Sequence, residues 1–115
     1  MTTIYKICPA PQWSAAERTG VFRGSDVDRR DGFIHFSSGA QIVETAEKHF
    51  RRAKRSAAAC ASTAHKLGDR LKWEPSRGGA LFPHLYGDLD PAAVMRVEPL
   101  PLGPDGRHVF PVLDD

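Results

Sequence analysis

Alternating and periodic apolar positions divide the first part of the chain into short elements. The alternation in TIYKICP predicts a strand over residues 3–9 with one wetter face. The following APQWSAAERTG predicts a short helix with Trp13 and Ala16 on one face and Gly20 as its left-handed cap. The charged, turn-rich segment at 21–32 predicts a loop over the surface.

The next stretch has the clearest helical periodicity. Residues 33–36 predict a short buried strand, and a helix follows with Ser38 as N-cap and Gln41 completing a reciprocal capping box. Charged residues are expected on the outer face of this helix, and these apolar residues on its inner face: Ile42, Val43, Ala46 and Phe50. Residues 51–66 contain no Val, Ile, Leu or Phe, which predicts either a helix extension or a loosely held loop.

The second half of the chain predicts short strands joined by turns. LKWEP predicts a strand with Leu71 and Trp73 on one face, and ALFPHLYG an apolar segment broken at Pro83. DPAAV predicts a turn or a single helical turn, a strand follows at 94–98, and HVFPVL predicts a final strand after the turn GPDG. The resulting prediction is an α+β fold with a small split or mixed β-sheet and two main helices, in a single domain over residues 1–115.

Composition narrows the classes of function. The chain has 115 residues and a formal net charge of +2, which does not require a nucleic-acid partner. The basic cluster at 48–55 could contact phosphate, but such a run is typical of a solvated helix end. No apolar run is long enough to cross a bilayer and the N-terminus lacks a signal-peptide core, which predicts a cytoplasmic protein. Cys8 and Cys60 are then expected as free thiols.

A histidine and two serines mark the first candidate site. His35 lies in the middle of a predicted strand, where its side chain points away from those of Ile34 and Phe36. Ser37 and Ser38 follow at a predicted strand-to-helix junction, where free N–H groups could bind a phosphate or carboxylate. The alternative is that His35 makes one hydrogen bond inside the core and Ser38 only caps the helix.

Glu74 is the candidate acid of the second half. It lies between Trp73 and Pro75 at the end of a predicted strand. A carboxylate beside an indole can have its pKa raised by desolvation, which suits a general base or a group that holds a ribose hydroxyl. The alternative is a surface glutamate paired with Lys72 or Arg77.

The segment RGGALFPHLYG carries the remaining candidates. Arg77 and Gly78 predict a loop where backbone can approach a ligand and a guanidinium can bind phosphate or carboxylate. His84 and Tyr86 share one side of an extended segment, where they could stack on a ligand ring or pack against a helix. The five histidines show no recognised metal-ligand spacing, so we expect no metal.

Three blocks in order, IYKI, DGFIHFS and LKWEPSRGGALFPHLYG, resemble the bacterial family catalogued as domain of unknown function 952. The resemblance runs from about residue 3 to residue 100. This family is similar to a compact ADP-ribosyltransferase, in which a split sheet surrounds a nicotinamide dinucleotide. The resemblance implies that His35 contacts the nicotinamide ribose, that Tyr86 or His84 stacks on the nicotinamide, and that Glu74 or, less directly, Glu98 supplies the acid.

The resemblance therefore implies NAD as a candidate cofactor and an ADP-ribosyl- or phospho-transferase. A non-catalytic module that binds a nucleotide or an anionic metabolite is the alternative, and a structural or interaction protein with an aromatic core is a third. The expected catalytic residues are His35, Glu74 and His84. The expected cofactor-contacting residues are Ser37, Ser38, Trp73, Arg77, Gly78 and Tyr86.

The chain departs from the family in one place. The resemblance implies a strand of Val, Leu and Ile after the main helix, where this chain has AKRSAAACASTAH. We therefore expect either a weak sheet edge here or a local shift of reading frame.

Overall fold

A computed structural model of the chain describes residues 2–49, 57–105, 107–110 and 113. Within them the chain forms seven strands and three α-helices. The strands are β1 Thr3–Pro9, β2 Ile34–His35, β3 Ser37–Ser38, β4 Ala57–Thr63, β5 Leu71–Pro75, β6 Leu81–Leu85 and β7 Val94–Leu100. The helices are α1 Ala10–Thr19, α2 Asp26–Asp31 and α3 Ile42–His49. Short 3₁₀ segments cover Ala64–Arg70, Arg77–Gly79 and Pro91–Ala93.

The strands form two antiparallel sheets, with the orders β3–β1–β4–β7 and β2–β6–β5. The chain passes between the sheets at Phe36, since His35 belongs to β2 and Ser37 to β3. The Phe36 N–H donates to the Pro83 carbonyl at 2.9 Å, which ties this crossing to β6. The architecture is therefore α+β with a split sheet, as predicted, but every pair of the described strands is antiparallel rather than mixed.

The first strand is buried on both of its faces. Ile4 and Cys8 pack into one apolar cluster, and Tyr5 and Ile7 pack into another on the opposite side. Even Lys6 is only 4% exposed. The expectation of a wetter face is therefore wrong, because this strand lies inside the four-stranded sheet with an apolar cluster against each face.

The alanine-rich segment forms the strand β4. It lies between β1 and β7, and all seven of its residues are buried. The expectations of a helix extension, a loose loop and a weak edge are therefore wrong for residues 57–63, because pairing with a neighbour on each side decides the conformation. The frame-shift hypothesis stays a prediction, which an intact mass would check. Cys60 in this strand and Cys8 in β1 are buried free thiols, as expected.

The region at 21–32 was expected to be a loop but contains α2. The Ser25 hydroxyl accepts a hydrogen bond from the Asp28 N–H, and the Asp28 carboxylate accepts one from the Ser25 N–H. This reciprocal capping box starts the helix, and Gly32 ends it in the left-handed conformation. The prediction for α1 is confirmed, including buried Trp13 and Ala16.

The helix α3 begins later than predicted. Ser38 lies in β3, paired with Ile4, and the helix starts at Ile42. The Ser38 N–H donates to Oε1 of Gln41 at 3.0 Å, which is one half of the predicted capping box. Ile42 is buried as expected, but Val43 is exposed. Phe50 lies outside the described residues.

The second half follows its predicted elements with different bounds. The strand β6 continues through Pro83, and β7 extends as far as Leu100. The helical turn at Pro91–Ala93 is confirmed. Within the described part of the predicted final strand, the pairing is a single bridge between His108 and Leu102. No helix of the described residues is long and apolar enough to cross a membrane.

Candidate functional site

A cleft of about 460 Å³ is lined by residues of β1, α2, β2 and β6. Its wall includes these polar side chains: Lys6, Asp28, Asp31, His35, Ser37 and His84. The antiparallel register of β2 and β6 places His35 directly opposite His84. The two rings lie 5.5 Å apart between centroids, so the structure brings these two histidines together.

Asp28 is the centre of the inner part of the cleft. Its carboxylate accepts from Nζ of Lys6 at 2.9 Å and 2.7 Å, and from the N–H of Ser25 and of His35. Nδ1 of His35 lies 2.6 Å from Oδ1 of the same carboxylate. Burial alone would raise the pKa of Asp28, but the hydrogen bond with His35 and the Lys6 ammonium hold this pKa well below its usual range.

Both nitrogens of the His35 ring face carboxylates. Nδ1 contacts Asp28, and Nε2 lies 3.1 Å from Oδ2 of Asp31. Because a neutral imidazole has a single N–H, both nitrogens can donate at once only in the imidazolium form. Through these two contacts, Asp28 and Asp31 of α2 hold the His35 ring in place.

His84 is held by a different carboxylate. Its Nδ1 lies 2.9 Å from Oε1 of Glu74, and the Tyr86 hydroxyl donates to the same oxygen at 2.7 Å. The Phe33 ring stacks on the His84 ring with 4.1 Å between centroids. His35, Glu74, His84 and Tyr86 thus lie in one cluster, because alternation along β5 and β6 points the last three toward the same face.

Glu74 does not have the raised pKa expected from a neighbouring indole. The hydrogen bonds from Tyr86 and from His84 lower the pKa of Glu74. The same contact with Glu74 raises the pKa of Tyr86. The expectation is wrong because Trp73 precedes Glu74 in β5 and projects from the opposite face of the strand. Glu74 is therefore suited to orienting His84 rather than to acting as a base.

Other predicted residues lie away from this cluster. Trp73 lies on the opposite face of β5, 40% exposed and outside the cleft lining, so its predicted cofactor contact is not supported by its position. Arg77 and Gly78 begin the 3₁₀ turn that joins β5 to β6, next to Ser76, which lines the cleft. Glu98 lies on β7 of the other sheet, outside the cleft lining.

The predicted anion site at Ser37 and Ser38 depends on a strand-to-helix junction that the structure does not form there. The helix does not follow the strand directly, since α3 starts only at Ile42, and the Ser38 N–H is used by Gln41. Ser37 does line the cleft, and its hydroxyl lies 3.0 Å from that of Thr45. Ser37 therefore contributes to the cleft as a strand residue rather than through a helix terminus.

Lys6, Asp28 and Asp31 are among the cleft residues that are not predicted from the sequence. A lysine inside an apolar strand is a usable signal, because lysine is almost never fully buried unless it is paired. The spacing of Ser25 and Asp28 was a second signal, since it matches a capping box. Among the described residues there is no group of three or more side chains placed to hold a metal ion.

Comparisons with known proteins give a family match and matches to solved structures. A family model described as protein of unknown function (DUF952) matches residues 7–97. The crystal structure of protein CC0527 from Caulobacter crescentus is 49% identical over 94% of each chain, with a TM-score of 0.89. The solution structure of CC0527 is 50% identical over 93% of this chain and 91% of that one, with a TM-score of 0.82. A search of curated proteins finds no match.

Proposed function

This chain belongs to the family described as protein of unknown function (DUF952), and we propose that its cleft binds a nucleotide of the NAD or ADP-ribose type and transfers a group from it. His84 is the proton-transfer residue in this proposal, and Glu74 orients it. The observation that carries the proposal is the Glu74–His84 contact of 2.9 Å at the wall of the cleft.

A histidine with one nitrogen on a carboxylate is prepared for proton transfer. When Nδ1–H donates to Glu74, the lone pair of the neutral ring lies on Nε2. Within the described residues, Nε2 of His84 has no hydrogen-bond partner, and His84 lines the cleft. This nitrogen is therefore free to accept a proton from a bound reactant and to return it.

The cleft suits a polar ligand that contains rings. Its volume of about 460 Å³ lies within the range of about 300–1,000 Å³ that is usual for small-molecule sites. Tyr5, Phe36 and Phe82 contribute aromatic surface to the lining, whereas Lys6 and Asp31 contribute charge. A nucleotide offers a base, hydroxyl groups and phosphates to such a mixed surface.

The proposed reaction uses these groups as follows. In NAD, the bond between the ribose carbon and the nicotinamide nitrogen breaks, and nicotinamide leaves with the electron pair. An ionised carboxylate on the wall of the cleft stabilises the positive charge that develops on the ribose. The hydroxyl oxygen of an acceptor forms the new bond to the ribose carbon, and its proton passes to Nε2 of His84.

A non-catalytic binding module is the second candidate, and one observation favours it. Lys6, Asp28, His35 and Asp31 already satisfy one another through short contacts. Such a closed network gives a rigid wall without a reactive group. On this reading the cleft holds its ligand unchanged, and His84 only hydrogen-bonds to it.

Calorimetry with NAD and with ADP-ribose, combined with an assay for released nicotinamide, tests the proposal. We expect the wild-type protein to bind both and to release nicotinamide. His84→Gln should lower the rate of release at least tenfold while binding persists. His65→Gln is the matched control, since this histidine is exposed and lies outside the cleft.

Three results are decisive. Binding without release in the wild-type protein supports the non-catalytic module. No binding of either ligand overturns the nucleotide proposal. Because His84 is buried, Glu74→Gln serves as a second variant that keeps the imidazole, and an unchanged rate of release in it would count against the orienting role of Glu74.

A further inference from the structure

The two histidines of the cleft differ in what occupies Nε2. For His84, no described residue hydrogen-bonds to this nitrogen. For His35, the Asp31 carboxylate lies 3.1 Å away and occupies the position that a ligand acceptor would otherwise take. The Asp31 side chain is 35% exposed at the end of α2, so a ligand in the cleft can reach its carboxylate.

We propose that Asp31 is a specificity-determining residue that makes the His35 corner accept hydroxyl groups of the ligand and reject phosphate groups. The inference rests on the proposed function for the identity of the nucleotide, although the chemistry of the corner can be tested without one. A hydroxyl donates to the carboxylate of Asp31, whereas an ionised phosphate oxygen can only accept. A phosphate placed here would also lie against a second anion.

The charges around this corner favour the rejection of anions. Asp26, Asp28 and Asp31 all line the cleft from α2. The Lys6 ammonium is already paired with Asp28 at 2.7 Å. Arg30 also lines the cleft, but its Nε lies 3.3 Å from Oδ1 of Asp31 and its side chain is 73% exposed. The attraction of Arg30 for a phosphate is therefore weakened, because Asp31 partly neutralises its charge and solvent screens it.

This selectivity can be measured with NAD and NADP, which differ by one phosphate. NAD carries a free 2′-hydroxyl on its adenine ribose, and NADP carries a phosphate there. An acidic side chain that accepts from a ribose hydroxyl disfavours the phosphorylated form by charge. If that ribose enters the His35 corner, the wild-type protein should bind NAD at least tenfold more tightly than NADP.

Calorimetry with NAD and NADP on Asp31→Asn tests the inference. This variant removes the charge but keeps the shape, so the preference for NAD should fall to about threefold or less. Asp26→Asn is the matched control, because Asp26 lies on the same helix and lines the same cleft but contacts Arg29 at 2.6 Å. An unchanged preference in Asp31→Asn overturns the inference.

A second measurement separates this inference from the proposed function. The ring ¹⁵N signals of His35 are followed by NMR during addition of inorganic phosphate. We expect no change in the wild-type protein and a saturable shift in Asp31→Asn, because loss of the negative charge removes the repulsion that keeps the anion away from the His35 ring. A saturable shift in the wild-type protein, or no shift in Asp31→Asn, overturns the inference even if neither nucleotide binds.

Discussion

The two histidine–carboxylate pairs of the cleft use the same contact in different environments. His35 and Asp28 form the inner pair, and the Asp28 side chain is only 1% exposed. His84 and Glu74 form the outer pair, in which the Glu74 side chain is 35% exposed. The inner carboxylate also neutralises Lys6, whereas the outer one accepts from the Tyr86 hydroxyl.

The difference assigns a role to each pair. A buried carboxylate that compensates a buried ammonium cannot be removed without leaving a charge unpaired. The inner pair therefore maintains the structure of the cleft wall. In the outer pair Glu74 does not neutralise a buried ammonium, and Nε2 of His84 has no hydrogen-bond partner among the described residues, so this pair is the better place for chemistry. Three measurements test this division, from the largest expected effect to the smallest.

Removal of the inner carboxylate should have the largest effect. We expect Asp28→Ala to lower the free energy of unfolding by about 3–5 kcal/mol, because it leaves Lys6 buried without its counter-charge. Urea denaturation measures this change. Asp26→Ala is the control, since its exposed ion pair with Arg29 should contribute no more than about 1 kcal/mol.

A double variant identifies the cause of that loss. If the unpaired ammonium is responsible, Lys6→Met combined with Asp28→Ala should be more stable than Asp28→Ala alone. If the double variant is no more stable than Asp28→Ala, the loss of stability comes mainly from the hydrogen bonds that Ser25 and His35 donate to Asp28. The charge of Lys6 would then not be the main reason why Asp28 is needed.

The sequence predicts the elements whose signal is local. The periodicity of α1 and its terminal Gly20 are local, and this helix is confirmed. The strand β4 has no such signal, because alanine favours helices and the segment lacks large apolar residues. Its conformation depends on pairing with β1 and β7, and partner strands cannot be identified from the composition of the segment.

The candidate site likewise contains features that the local sequence predicts and features that it does not. The common direction of His84 and Tyr86 follows from strand alternation and could be predicted. The pairing of Lys6 with Asp28 joins residues that are distant in the sequence, so no local pattern contains it. The expected contact of Glu74 with the Trp73 indole does not form, because consecutive residues of a strand project from opposite faces.

Lowering the pH should reduce the free energy of unfolding through the inner pair by less than Asp28→Ala does. The pKa of Asp28 in the folded protein is lowered, so its contribution is fully present above the unfolded pKa of about 3.9. This contribution should be lost progressively as the pH falls below that value. Urea midpoints at decreasing pH should therefore fall more steeply in the wild-type protein than in Asp28→Asn, by about one bound proton. Equal slopes would contradict the strong native pairing of Asp28.

The outer pair should give the smallest effect, a change in the titration of one phenol. Because the hydrogen bond with Glu74 raises the pKa of Tyr86, Glu74→Gln should shift this pKa back toward its ordinary value near 10. Ultraviolet absorbance during alkaline titration measures the change, and Tyr86→Phe separates this signal from that of buried Tyr5. Stability at neutral pH should change far less than in Asp28→Ala, since Glu74 is partly exposed to solvent. A large loss of stability in Glu74→Gln would make the outer pair structural like the inner one, and the assignment of proton transfer to His84 would lose its physical basis.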